Sequence, residues 1–190
     1  MLILSGFSPH DEYLRYFELG YENVNAWKIS DFTAPAKTAD GGYKTINKTD
    51  PSKAIYIPTT TYPNRLSDNG NAIIASLVPE LKGYFGLPYP NNYMIISGIR
   101  GKLTELAITY WGDFGYVTNH IAKRVVLYAD NAAVGIKATR SGAAGAKKYS
   151  FDASFKELVI YNQLKIVFED ITTTADGGEA LIHQLFFTLK

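Results

Sequence analysis

The rhythm of hydrophobic and polar positions changes near Tyr93. Beyond it the alternation has period two. In "LTELAITYW", Leu106, Ile108 and Tyr110 fall on one side and Glu105, Ala107, Thr109 and Trp111 on the other; "IAKRVVLYAD", "FKELVIYNQ" and "LKIVFED" alternate in the same way. Successive side chains of a pleated strand point to opposite faces, so this rhythm predicts strands. Residues that favour turns separate them, at Gly112 to Gly115, Asp130 to Asn131, Ser141 to Gly145, Asn162 to Gln163 and Asp176 to Gly178. No helical pattern intervenes to make parallel crossovers, so the sheet is expected to be antiparallel. The expected fold is all-β, a two-sheet antiparallel sandwich of jelly-roll type filling a single domain over residues 1–190.

The first third has a different texture. Residues 1–70 are dense in Pro, Gly, Asp, Asn and Thr, broken by short strand-like pieces at Tyr43 to Ile46 and Ala54 to Ile57. An extended, loop-rich region is expected there, contributing to the fold or to contacts between subunits. At most two short helices are expected. One runs over Asn69 to Gly83, with Ile73, Ile74, Leu77 and Leu81 on one face and Pro79 as a kink; the other lies around Asp11 to Leu19, where a strand is an equal alternative. The segment "EALIHQLFFTLK" is apolar on both parities. Leu181, Leu185, Phe187 and Leu189 make one face and Ile182 and Phe186 the other. A strand wet on one side would not read this way, so it is either central or covered by another chain, with Ile182 and Phe186 as candidate interface residues.

Composition narrows the classes. Hydrophobic residues make up 46% and charged residues 19% of the chain, a charge content that points to extensive burial or extensive partner contact. The net charge of +1 generates no long-range field, which disfavours nonspecific capture of nucleic acid or of an anionic membrane. The absence of Cys excludes disulfides, thiolate nucleophiles and Cys-ligated metals. The opening "MLILSGFSPHDEY" has four apolar residues before Ser5 and no basic segment, so it fits neither a signal peptide nor a membrane span; synthesis in a cytoplasm without export is expected.

Recognisable catalytic motifs are missing, and no cofactor or metal is expected. His10, Asp11 and Glu12 are adjacent and diverge rather than converge, His120 begins a strand, and His183 sits on the apolar parity of the closing strand. No serine carries a Gly-x-Ser-x-Gly elbow. Glu169 and Asp170 neighbour one another on a strand, and alternation sends them to opposite faces, so they make no preformed acid and base. "RSGAAGAKK" lacks the spacing of a phosphate loop and reads as a loop tip, although Lys137, Arg140, Lys147 and Lys148 leave room for a polyanion or an acidic partner surface. The aromatic loops "GYFGLPYPNNY" and "YWGDFGY" carry the strongest functional signal. Tyr84, Phe85, Tyr89, Tyr93, Tyr110, Trp111, Phe114 and Tyr116 lie in or beside turns, where flat rings with Gly, Asp and Asn neighbours suit sugar stacking or a protein hot spot, with Trp111, Tyr110, Phe114, Tyr116 and Tyr89 as the candidate ligand contacts; the alternative is that they close the ends of the sandwich.

The stretch "LKIVFEDITTTADGGEALIHQLFFTLK", a strand, a Thr- and Gly-rich turn and a long closing strand, resembles the end of the galactose-binding-like jelly rolls found in carbohydrate-binding modules. The resemblance is one of pattern, spans about the last hundred residues, and implies a binding or scaffolding sandwich with any ligand near the loops or a concave face. Two functions are expected in order. The first is a non-enzymatic structural component of a larger assembly, most plausibly a phage virion, capsid or tail, partnered by other protein subunits and located in the virion. The second is a carbohydrate-binding or receptor-attachment domain; a small hydrolase on a β-sandwich is a distant third. The pentapeptide "TADGG", present at Thr38 to Gly42 and at Thr174 to Gly178, has unrelated flanks and one carboxylate per copy. It is expected to serve as two independent turns, neither a duplication nor a calcium loop.

Overall fold

Strands account for nearly all regular structure in the computed structural model, which describes residues 27–61, 63, 85–110, 113, 120–140, 148–151, 158–172 and 178–190. In chain order they are β1 (Ala36–Lys37), β2 (Tyr43–Ile46), β3 (Ala54–Ile57), β4 (Phe85–Pro88), β5 (Tyr93–Ser97), β6 (Gly101–Tyr110), β7 (Ala122–Ala129), β8 (Ile136–Arg140), β9 (Lys148–Phe151), β10 (Leu158–Ile160), β11 (Gln163–Ile171) and β12 (Glu179–Leu189). Among the described residues a 3-10 turn at Ile29–Asp31 precedes them. The expected helices over Asn69 to Gly83 and Asp11 to Leu19 lie outside the described residues.

The all-β, antiparallel expectation holds, since every pairing among these strands is antiparallel. The arrangement differs from two separate sheets. Hydrogen bonds join the strands into one 12-stranded sheet of order β1-β2-β3-β5-β11-β7-β8-β9-β6-β12-β4, with β10 attached to β6. The link between the two halves is the short β8–β9 pairing, Ala138 with Phe151 through Arg140 with Tyr149. A single core cluster draws from both ends of this order: Ile55, Ile57, Met94, Ile96 and Phe168 from one, Leu106, Ile108, Tyr110 and Leu185 from the other. The Leu181 amide donates to the His120 carbonyl at 3.2 Å, which brings the start of β12 to the strand entering β7.

Alternation explains which side chains fill that core. Along β11, Leu164, Ile166 and Phe168 are fully buried, while Lys165, Val167 and Glu169 between them are half-exposed. Each buried aliphatic or aromatic side chain on this parity contributes about 1.5–3 kcal/mol through removal from water. Two buried polar side chains find partners in the backbone: the Thr45 hydroxyl donates to the Thr33 carbonyl at 2.7 Å, and the Asn92 side-chain amide donates to the Phe168 carbonyl while the Phe168 amide donates back to the Asn92 carbonyl at 2.9 Å.

Both apolar parities at the start of β12 are accounted for within the chain. Ile182 pairs with Tyr110 on β6 and with Phe85 on β4 and is fully buried, as are Ala180 and Leu185. Of the two expectations for this strand, central or covered by another chain, Ile182 fits the first: it is a core residue and not an exposed candidate for a subunit interface, because the strand runs between two neighbours. Phe186 pairs through its backbone with Ala107.

Turn chemistry closes the other end of the sheet. Asp130 and Asn131 hold positive φ of 48° and 63° between β7 and β8, a conformation that short polar side chains tolerate. The Asp130 carboxylate accepts three backbone amides of the β10–β11 turn, from Tyr161 and Asn162 at 2.7 Å and from Gln163 at 2.9 Å. Asp130→Ala is expected to lower stability by about 2 kcal/mol in urea unfolding, with Asp130→Asn in between, because the amides lose a charged acceptor. A shift below about 0.5 kcal/mol would mean that the carboxylate does not hold the turn.

Candidate functional site

The parity that faces away from the core carries an unusual set of side chains on β3, β5, β11 and β7. Tyr56 stands between the buried Ile55 and Ile57, Tyr93 and Ile95 flank the buried Met94, Lys165 lies between Leu164 and Ile166, and Tyr128 follows Leu127. Strand register then aligns them. Lys44, Tyr56, Ile95, Lys165 and Tyr128 occupy one row across five strands, and Tyr93, Val167, Val126 and Lys137 occupy the next.

At the centre of the face is an ammonium group between rings. Lys165 Nζ lies 4.2 Å from the centroid of Tyr93 and 6.0 Å from that of Tyr128, within the range of attraction to an aromatic face. Tyr93 and Tyr56 meet with centroids 6.5 Å apart and planes tilted by 41°. Among the described residues no carboxylate pairs with Lys165, Lys44 or Lys137.

Two loops fix the outer tyrosines, and each does so with a glycine. The first "TADGG" forms the turn between β1 and β2, with the Thr38 amide donating to the Gly42 carbonyl at 2.8 Å and Gly41 at a φ of 90°. Its Asp40 carboxylate accepts the Tyr56 hydroxyl at 2.7 Å, the Thr38 hydroxyl, and the Gly42 amide at 3.3 Å. Gly42 lies against the ring itself, where a Cβ would stand 2.6 Å from Tyr56 Cε2. On the far side, a Cβ at Gly135 would meet Tyr128 Cζ at 2.7 Å and also strike Val126, so the loop before β8 backs the Tyr128 ring closely.

Hydrogen bonding from Thr38, then from Tyr56, holds the Asp40 carboxyl below its usual range. Burial, reinforced by the Asp40 carboxylate, pushes the Tyr56 phenol up, so Tyr56 stays a neutral donor to an ionised acceptor at physiological pH. The far edge of the face is an ion-pair cluster: Arg124 reaches Glu169 Oε2 from Nε at 2.7 Å and Asp170 Oδ2 from Nη1 at 3.0 Å. Here the structure corrects the expectation that Glu169 and Asp170 point to opposite faces. Asp170 has a φ of 48°, and this turn of the backbone lets both carboxylates meet one guanidinium.

The aromatic residues singled out from the loops are placed differently. Tyr110 is fully buried and presents no ring face to a ligand, which corrects its assignment as a stacking residue; it sits on the same parity as Leu106 and Ile108. Its hydroxyl lies 2.6 Å from that of Tyr149, which donates to the Ala122 carbonyl, and Arg140 lies over its ring at 5.3 Å. Arg140 Nη2 also grips Asp113 at 2.6 and 2.8 Å, and Asp113 accepts the Tyr110 amide at 2.8 Å. Burial raises the phenol pKa of both tyrosines. Tyr89 is 71% exposed at the turn after β4. Trp111, Phe114, Tyr116, the loop 141–147 and most of the second "TADGG" lie outside the described residues. Among the described residues, no group of three or more His, Asp or Glu side chains is placed to hold a metal ion.

Tyr93 ends the aromatic stretch "GYFGLPYPNNY", whereas Tyr56, Tyr128 and Lys165 were not singled out from the sequence. The parity signal was present in "AIYI", "YMIIS" and "VVLYA", but the row they make depends on which strands are neighbours.

No protein-family model matches the chain, and no curated protein matches it in sequence. Among solved structures the chain is similar to a family 89 glycoside hydrolase from Clostridium perfringens. One structure of it, in complex with its substrate GlcNAc-alpha-1,4-galactose, gives a TM-score of 0.37 at 12% identity over 70% of this chain. Another, in complex with 2-acetamido-1,2-dideoxynojirmycin, gives 0.36 at 11% identity over 73% of this chain. The chain spans 14% of the length of each.

Proposed function

We propose that this is a non-catalytic binding protein that presents the Tyr56, Tyr93, Lys165 and Tyr128 face to a carbohydrate. The observation that carries the reading is the fixing of the rings before any ligand arrives. Tyr56 is tied to Asp40 and pressed on Gly42, Tyr128 is backed by Gly135, and Tyr93 is held between Tyr56 and Lys165. Sugar rings offer apolar C–H faces and a rim of hydroxyls, so they suit flat aromatic surfaces bordered by hydrogen-bonding groups. The half-exposed Ser97 and Gln163 and the exposed Thr139 border this face and supply such groups. Rings already held in place lose little conformational freedom on binding, which favours affinity at small contact area.

Tyr128→Ala is expected to weaken binding to a glycan selected from a panel by about tenfold, as loss of a central aromatic contact does. Calorimetric titration of wild type and variant checks this, and unchanged affinity would move the site off the sheet face. A subunit of a larger assembly, such as a phage virion, is the second reading, supported by the exposed Tyr89, Val134 and Tyr161. Light scattering with and without the selected glycan separates the two. A monomer that binds glycan supports the first reading; self-association indifferent to glycans supports the second.

A further inference from the structure

Resting on the carbohydrate reading of the sheet face, we infer that the ligand is an acidic glycan and that Lys165 receives its carboxylate or sulfate group. Lys165 is half-buried at the centre of the face, and its contacts are with the rings of Tyr93 and Tyr128. Drawing part of an ammonium out of water has a cost that an acidic partner offsets. On this face the carboxylates are committed elsewhere: Glu169 and Asp170 to Arg124, and Asp40 to Thr38, Tyr56 and Gly42. The cationic side chains Lys44, at one end of the row of Lys165, and Lys137, at the opposite end of the adjacent row, have no acid paired to them among the described residues. The path from β2 to β8 crosses β3, β5, β11 and β7, so at about 4.8 Å per strand the three ammonium groups are distributed over about 24 Å.

That arrangement suits an extended ligand lying across the strands with negative charge at intervals. It also localises the attraction. With a net charge of +1, the molecule as a whole does not gather polyanions, so a preference for acidic polymers has to come from a local arrangement of cations such as this face.

The test uses acidic polymers each matched to a neutral counterpart: polygalacturonate and its methyl ester, hyaluronan and its carboxyl-reduced form, chondroitin sulfate and its desulfated, carboxyl-reduced form. The intact protein, Lys165→Gln and Lys165→Arg are compared by calorimetric titration, with folding checked by circular dichroism. Wild type is expected to bind at least one acidic member about tenfold more tightly than its neutral partner. That preference should shrink as salt rises. Lys165→Gln should bring the ratio close to one and Lys165→Arg should restore most of it, while Tyr128→Ala weakens both members of the pair. A response of the polygalacturonate or hyaluronan pair identifies carboxylate as the recognised group, and a response of the chondroitin sulfate pair alone identifies sulfate. Equal or tighter binding of the neutral members, or an acid preference that survives Lys165→Gln, overturns the acidic-ligand inference and leaves the carbohydrate reading standing. No binding to any polymer of either kind overturns both.

Discussion

Arg140→Ala is expected to lower stability by about 3–5 kcal/mol, because it leaves a carboxylate buried without its cation. The side chains of Arg140 and Asp113 are 9% and 10% exposed, so water does not replace either partner. Asp113 also accepts the Tyr110 amide at the end of β6, and Arg140 covers the ring of Tyr110, whose hydroxyl leads through Tyr149 to the backbone of β7. One substitution therefore disturbs an ion pair, a strand terminus and a buried tyrosine pair. The double variant Arg140→Met with Asp113→Asn keeps an acceptor for the Tyr110 amide and removes both charges. It is expected to recover at least half of the loss, since the large cost of a broken buried pair comes from the charge left behind. Urea unfolding at neutral pH measures both. A single-variant cost below about 1 kcal/mol would show that Asp113 regains water in the folded protein.

Phe168→Ala is expected to cost about 3–5 kcal/mol, the usual range for emptying an aromatic site in a core. Phe168 is fully buried on β11, the strand paired to β5 on one side and β7 on the other, and its backbone is clasped by Asn92. Val167 is the internal control. It is the preceding residue, half-exposed on the opposite parity, and Val167→Ala is expected to cost about 1 kcal/mol or less. Similar losses for the two would mean that the faces of β11 are wrongly assigned.

Strands and their faces were legible because alternation is a local property. Tyr43 to Ile46 and Ala54 to Ile57 stand in the sequence as short alternating pieces between turn residues, and they are β2 and β3 as observed. Leu106, Ile108 and Tyr110 share a parity in the sequence and share the core in the structure; the same parity that makes Tyr110 a wall of the core disqualifies it as a platform. What pattern alone does not carry is adjacency. Nothing local to "LKIVFED" or "VVLYA" indicates that Lys165 faces Tyr128, or that β3 joins the sheet through β5, because such pairings join segments far apart in the chain. The site was missed for this reason. Attention went to rings near turns, Tyr93 among them, while Tyr56 and Tyr128 lie within strands. The first "TADGG" was read as a turn, and it is one; that Asp40 also anchors a tyrosine on β3 required the fold.

The position of β12 bears on the order in which the molecule is made. Glu179–Leu189 pairs along one side with β6 and along the other with β4, both of which leave the ribosome long before it does. Until then, among the described strands, Gly101–Tyr110 holds its pairings to β9 and β10, and Phe85–Pro88 awaits its partner. Until Glu179–Leu189 emerges, the nascent chain holds the edges of β4 and β6 that this strand will cover, the condition under which chains pair with one another instead of with themselves. Closure at β12 is a long-range step, so the yield of this fold is expected to respond to the speed of translation and to holding chaperones as well as to the stability of the finished molecule.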